Sequence, residues 1–357
     1  MIGLLASLWI GTYYALYYAC YLAALILVLV AVRLWRRRIS SGLRLTALTI
    51  VGVLFLRLLL FDNPGTLSLY RWLLRPESIG MRQGGVLYLE TKKYRRDLHQ
   101  PPLANIAVGS SQVGAIFNYW DGAGQQPLEV YSLAGMKALD FVLHADAIAA
   151  YNPQRVILYL SAFDMTGTPE LFSLPLAPPR PLAMWSVLRR LRHSGLTSAE
   201  TSSSVHEFVA GQLFPEYRYR FVFRAFLKQW FGEAYESARP PVATQRFAEF
   251  STYYDPQWLD YNFGFFLEFL EFCRSRGIEV MVVEGQVNPA AVTPTIADLN
   301  RMVRRRLEDL RTEFPNLSYV PAAAVYEFSP AEYHDTTHVL PEAARTYTER
   351  LSAYLAR

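Results

Sequence analysis

Residues 105–114 read NIAVGSSQVG. A short apolar run ends in a glycine, two serines and a glutamine. The run has the composition of a strand buried on both faces, and a short helical stretch follows Ser111. One serine-rich turn does not separate an ordinary strand-to-helix connection from one that holds up a nucleophile. That distinction needs a histidine, an acid and the right order of elements elsewhere in the chain.

The order of elements is regular on both sides of a long interruption. LEVYSLAG (128–135) reads as a second strand ending in glycine, and residues 136–150 then have helical spacing. RVILYLS (155–161) is a third strand. Residues 165–255 break the pattern with a proline-rich stretch, a Ser/Thr cluster and an aromatic, basic segment. Alternation resumes with a helix over 258–276 capped by Gly277, a strand IEVMVVEG (278–285) and a helix over 294–313. A strand LSYVPAA (317–323) and a last helix over 341–356 complete it. Strands alternating with helices predict an α/β fold, a flavodoxin-like three-layer sandwich around a parallel sheet. Its sites form at the carboxyl ends of strands. Ser110 and Ser111, Gly135, and residues 161–164 all fall there.

The first third of the chain has another character. The 357-residue chain is 52% hydrophobic and only 18% charged, and the excess lies at the N-terminus. Residues 2–32 carry no charge, longer than one bilayer span needs and too short for two. A second apolar run, 43–61, is interrupted by Arg44 and Arg57, the latter able to snorkel. Two transmembrane helices are therefore expected, with a buried helix of the soluble domain as the alternative for the second. The linker between them carries Arg33, Arg36, Arg37, Arg38 and Arg44, which places it in the cytoplasm and everything after residue 61 outside the cytoplasmic membrane. The organisation expected is a hairpin anchor (1–61), a connector (62–102) and an α/β domain (103–357) with an insert (165–255). A net charge of +4 without a basic, aromatic-interleaved run excludes a nucleic-acid binder. Cys20 and Cys273 give no disulfide framework and no zinc spacing, and no metal or cofactor is expected.

Before the last helix stands YHDTTHVLPEAARTYTERL (333–351), with Asp335 and His338 three apart. At that spacing a carboxylate can accept from one ring nitrogen and leave the other free to take a proton from a hydroxyl. A serine needs such a base to become a nucleophile. The competing readings are structural: Ser110 and Ser111 as helix caps, Asp335 as a cap of the last helix, and His338 as a packing residue. His334 is read as solvent-facing or a substrate contact. His99, His144, His193 and His206 have no partner at a telling spacing.

A G-x-S turn after the first strand, with D-x-x-H before the last helix, resembles the SGNH/GDSL hydrolase superfamily over residues 103–357. The doublet GSSQ behind membrane segments is similar to its DltD-like branch. The resemblance implies Ser111 as nucleophile, Asp335 as orienting acid and His338 as base, with Ser110 at the place of the family's aspartate. It implies an oxyanion hole from the backbone of Ser111 and Gly135, completed by an asparagine after the third strand. Here that segment reads SAFD (161–164), so Phe163 stands where the asparagine would be. Losing one such donor costs roughly 2.7–4 kcal/mol of transition-state stabilisation. Asp164 is given a supporting role. The branch further implies a membrane-anchored extracytoplasmic protein that acylates a cell-envelope polymer with a membrane-bound O-acyltransferase (MBOAT) partner. A catalytically idle binding subunit and a free-standing esterase are the alternatives. In the insert, Arg220, Arg224 and Lys228 share one helical face and Phe223, Phe226, Leu227 and Trp230 another, a basic amphipathic helix for a membrane or partner, or one packed over the sheet. Tyr13, Tyr14, Tyr17, Tyr18 and Tyr21 share a stripe on the first apolar run, for a second membrane protein or for interface anchoring.

Overall fold

The computed structural model describes residues 104–120, 127–133, 135–167 and 255–356, with scattered positions elsewhere. The chain divides into two compact units, Met1–Tyr70 and Arg71–Arg357. Of the first unit little is described. Its positions 45, 46, 48, 49, 51 and 52 are helical, and Thr49 Oγ1 donates to the Leu45 carbonyl one turn back at 2.9 Å. Among the described residues no helix is long and apolar enough to cross a membrane. All of the run 2–32 except Ile26 and much of 43–61 lie outside those residues, as do nearly all of the connector and the insert, with Arg220, Arg224 and Lys228 of the amphipathic segment.

In the second unit five strands form one parallel sheet in the order β2-β1-β3-β4-β5. They are β1 (Asn105–Gly109), β2 (Leu128–Ser132), β3 (Arg155–Leu160), β4 (Glu279–Glu284) and β5 (Leu317–Val320). This is the flavodoxin-like order, with the topological switch between β1 and β3. Every residue of β1 is buried, as the strand with neighbours on both sides should be.

Side-chain alternation divides the core into two layers. Ile106, Val108, Val156, Leu158, Val280 and Val282 face one side, packed with α2 (Ala138–Ala149), α4 (Leu259–Ser275) and α5 (Pro294–Glu313). Ala107, Ile157, Tyr159, Met281 and Val283 face the other, under α1 (Ser111–Phe117) and α7 (Pro341–Leu355). Phe265, Phe266 and Phe269 of α4 are fully buried, and Phe269 meets Phe141 of α2 at 5.6 Å between ring centroids. Each such ring contributes on the order of 1.5–3 kcal/mol. Short helices α3 (Ala162–Thr166) and α6 (Ala322–Val325) follow β3 and β5.

Two boundaries differ from the sequence reading. The second strand stops at Ser132: Leu133 gives the last ladder bond, its N–H donating to the Gly109 carbonyl at 3.0 Å, while its own carbonyl accepts the Met136 N–H at 3.1 Å in a turn. The fifth strand stops at Val320 and not at residue 323, because Pro321 is the N-cap of α6. Residues 165–167, at the head of the insert as the sequence reads it, are described. Residues 162–166 are helical and anchored to α4, where Asn262 donates to the carbonyls of Met165 and Gly167, each at 3.0 Å.

Candidate active site

The turn from β1 into α1 is tight. Gly109 has φ +157, and a Cβ there would sit 2.6 Å from Val113 Cγ2, so a side chain would push the first turn of α1 away. Ser110 follows in extended backbone and Ser111 is the first residue of the helix. Ser110 does not cap α1: its hydroxyl makes no cap bond. It is buried without a hydrogen-bond partner, yet close enough to the Asp164 carboxylate to favour that group's charged form.

Ser111 Oγ lies 2.9 Å from His338 Nε2, across 227 positions of sequence. His338 Nδ1 lies 2.8 Å from Asp335 Oδ2 and 3.1 Å from Oδ1. Asp335 does not cap α7. Its Oδ1 accepts the N–H groups of Thr337 and His338, each at 2.8 Å, which closes a tight turn around the carboxylate. Burial pulls the Asp335 carboxyl upward, but the His338 ring bond and these two amides outweigh it and hold it well below the usual carboxylate range. An ionised Asp335 accepts from Nδ1, so the proton sits on Nδ1 and the Nε2 lone pair faces the Ser111 hydroxyl. Serine, imidazole and carboxylate thus form one continuous hydrogen-bonded path at the carboxyl edge of the sheet, with the His338 and Asp335 side chains 35% and 25% exposed.

Thr337 Oγ1, which the sequence reading did not single out, lies 3.2 Å from His338 Nδ1 and donates to Asp335 Oδ1 at 3.3 Å. His334 is exposed, and its Nδ1 reaches only 4.0 Å from Asp335. His144 is fully buried and bonded to the Tyr131 hydroxyl at 2.7 Å, a core histidine. Gly135 stands after β2 with φ +73. Among the described residues, the N–H groups of Ser111 and Gly135 have no acceptor.

Behind the turn lies a buried charged group that sequence spacing did not reveal. Lys137 is 3% exposed, donates to the Phe163 carbonyl at 2.9 Å, and holds Nζ 3.5 Å from the centre of the Phe163 ring. Phe163 is half-buried, with one face of its ring covered by that ammonium and the residue packed against the core layer of α2, α4 and α5. Asp164 accepts from the Ser161 N–H and hydroxyl, each at 2.8 Å. Burial raises its pKa, and Lys137, Ser161 and Ser110 pull it back in part. Asp140 accepts the Lys137 backbone N–H at 2.9 Å, and burial pushes its carboxyl up to about 7 against that bond and the lysine charge. The pairing Ser161-x-x-Asp164 is a capping box that was readable in the sequence, whereas nothing there links residue 137 to residue 163. Among the described residues no group of His, Cys, Asp and Glu is arranged to hold a metal ion.

No family model matches this sequence, and no curated protein matches it. Solved structures do align with it. One is described as an acylhydrolase from Bacteroides fragilis, at 12% identity over 75% of this chain and 96% of that chain, with a TM-score of 0.37. Another is a GDSL-like lipase from Bacteroides thetaiotaomicron, at 10% identity over 76% and 98%, with a TM-score of 0.38. A third is described as a lipolytic protein of the G-D-S-L family from Desulfitobacterium hafniense, at 11% identity over 70% and 97%, with a TM-score of 0.32. Likeness this slight carries neither a family nor a function for this chain, which rest on the residues themselves.

Proposed function

We propose that this chain is an SGNH-like acyl-transfer protein that works through an acyl-Ser111 intermediate. The observation that carries the reading is the path from Ser111 Oγ through the His338 ring to Asp335, with contacts of 2.9 and 2.8 Å. In the first half-reaction Ser111 Oγ bonds to an ester carbonyl carbon while its proton passes to His338 Nε2. Asp335 stabilises the imidazolium. The negative oxygen of the tetrahedral intermediate is received by the N–H groups of Ser111 and Gly135. The carbon–oxygen bond to the leaving alcohol then breaks, and His338 returns the proton to that alcohol. In the second half-reaction His338 takes a proton from an acceptor hydroxyl, the acceptor oxygen bonds to the acyl carbon, and Ser111 leaves with the proton restored.

By sequence position Phe163 stands where the superfamily has an asparagine donor, and a missing donor favours slow transfer to a positioned acceptor over rapid hydrolysis of simple esters. The apolar runs 2–32 and 43–61 and the arginines between them support an anchored, extracytoplasmic domain. The acceptor in this reading is a hydroxyl of a cell-envelope polysaccharide or related polymer. The acyl donor is handed over by an MBOAT-type membrane partner. Ser111→Ala in the producing cell tests this. It should abolish acylation of the polymer while the full chain still inserts in the membrane. Polymer acylation persisting at the wild-type level would remove Ser111 from the reaction.

A further inference from the structure

Past the end of β4 the chain continues as Gly285-Gln286-Val287-Asn288, and alternate side chains on this continuation reach the segment that carries the acid and base. Glu284 Oε2 accepts the Ala322 N–H at 2.9 Å. Gln286 pairs twice, Oε1 accepting the Phe328 N–H at 3.0 Å and Nε2 donating to the Tyr326 carbonyl at 2.7 Å. Asn288, 7% exposed, donates its backbone N–H to the Thr336 carbonyl at 2.9 Å and its Nδ2 to the Asp335 carbonyl at 3.4 Å. Its Oδ1 accepts the Ala290 N–H at 3.0 Å and so caps a short 3-10 turn, Pro289–Ala291. The residues between serve the opposite side. Val287 joins the core, and Gly285 lies so close to the end of β3 that a Cβ would come within 2.6 Å of the Ser161 nitrogen. Period-two alternation thus gives one edge of the extended chain to the C-terminal segment.

The Asp335–His338 turn fixes its own shape. Asp335 binds the two amides ahead of it, His334 donates to the His338 carbonyl at 2.8 Å, and Tyr333 bridges to Val339. None of these contacts sets where the turn stands relative to β1. Among the described residues, the hydrogen bonds that reach residues 335–338 from outside the stretch 333–339 come from Asn288 and from Ser111 itself. We propose that the continuation of β4 is a strut that sets the turn against Ser111, with Asn288 as the positioning residue at its tip. It touches no reacting atom. Its effect is on the 2.9 Å approach of His338 to Ser111, where a misplacement of about 1 Å can cost on the order of 10²-fold.

The rate test of this proposal rests on Ser111 being the nucleophile, and a second readout does not. Full-length protein in detergent is labelled with a fluorophosphonate, and Asn288→Ala and Asn288→Ser are compared with wild type. The shorter serine still caps the Ala290 turn but falls short of the Asp335 carbonyl. Both variants should lose about tenfold in the first-order labelling constant at unchanged reagent affinity, while Asn288→Ser keeps most of the thermal stability. Recovery of the rate together with stability in Asn288→Ser would reduce Asn288 to a cap and overturn the proposal. The low-field proton resonance of His338 Nδ1–H reads the bond to Asp335 whether or not Ser111 reacts. It should shift or broaden in both variants, and an unchanged resonance also overturns the proposal. Absence of labelling in wild type would instead count against the nucleophile, leaving the resonance to decide on the strut.

Discussion

Asp335→Asn separates the two jobs of one carboxylate. In the wild type, Oδ1 accepts the Thr337 and His338 amides at 2.8 Å, and the same group receives the His338 Nδ1 proton at 2.8 Å from Oδ2. An asparagine keeps one oxygen for the amides, so the turn survives. Its NH₂ then faces Nδ1 as a donor. The favoured tautomer reverses, and Nε2 presents a proton to the Ser111 hydroxyl instead of a lone pair. The base is lost without removal of any ring. Loss of the correct tautomer in such a unit is worth roughly 10⁴-fold in rate, or about 5.5 kcal/mol of barrier. Exchange of a charged for a neutral acceptor costs about 1–2 kcal/mol of stability. The assay is the second-order rate of fluorophosphonate labelling at pH 7, beside a thermal melt of the same sample. A fall of about four decades with a small change in melting temperature is expected. A rate within tenfold of wild type, in protein that melts normally, would refute the tautomer argument.

Two further predictions concern the buried charges behind the turn. Asp140 has its folded pKa raised to about 7 by burial, above its unfolded value near 4. A raised acid contributes stability that is fully present below the unfolded value and is lost as pH rises through the folded one. Wild-type stability should therefore decline between about pH 4 and pH 7, by up to roughly 1.4 kcal/mol for each pH unit crossed. Asp140→Asn should flatten that decline in melts across the range, and an identical slope in both proteins would contradict the assignment. Lys137→Met removes the ammonium that balances Asp164 and should cost about 3–5 kcal/mol by denaturant titration. Lys137→Met with Asp164→Asn should recover part of that loss, and a single-variant loss under about 1 kcal/mol would show the pair to be unimportant.

The sheet was legible because its strands are buried on both faces. In β1, β3 and β4 that burial demands unbroken apolar runs, and the runs 105–109, 155–160 and 279–284 carry few polar residues. The pairing of Asp335 with His338 was legible because three residues span one tight turn. The approach of Ser111 to that turn was an inference from element order, since strand ends in a parallel sheet share one edge. Other parts left no local mark. Lys137 reaches Phe163, and Asn288 reaches Asp335, across gaps that only the folded sheet closes. An amide or an ammonium at those positions reads from sequence as an ordinary polar loop residue. The early end of β2 was hidden because Leu133 and Met136 are as buried as strand residues, although the Met136 N–H closes a turn onto the Leu133 carbonyl.

The central claim is that the Ser111 oxygen is the atom that becomes acylated. Fluorophosphonate treatment of the full-length protein, followed by mass spectrometry of its peptides, reads that atom directly. The account expects a single phosphonyl adduct on the peptide carrying Ser111, absent from His338→Ala. An unmodified Ser111 peptide, or an adduct that forms equally well without His338, would contradict it.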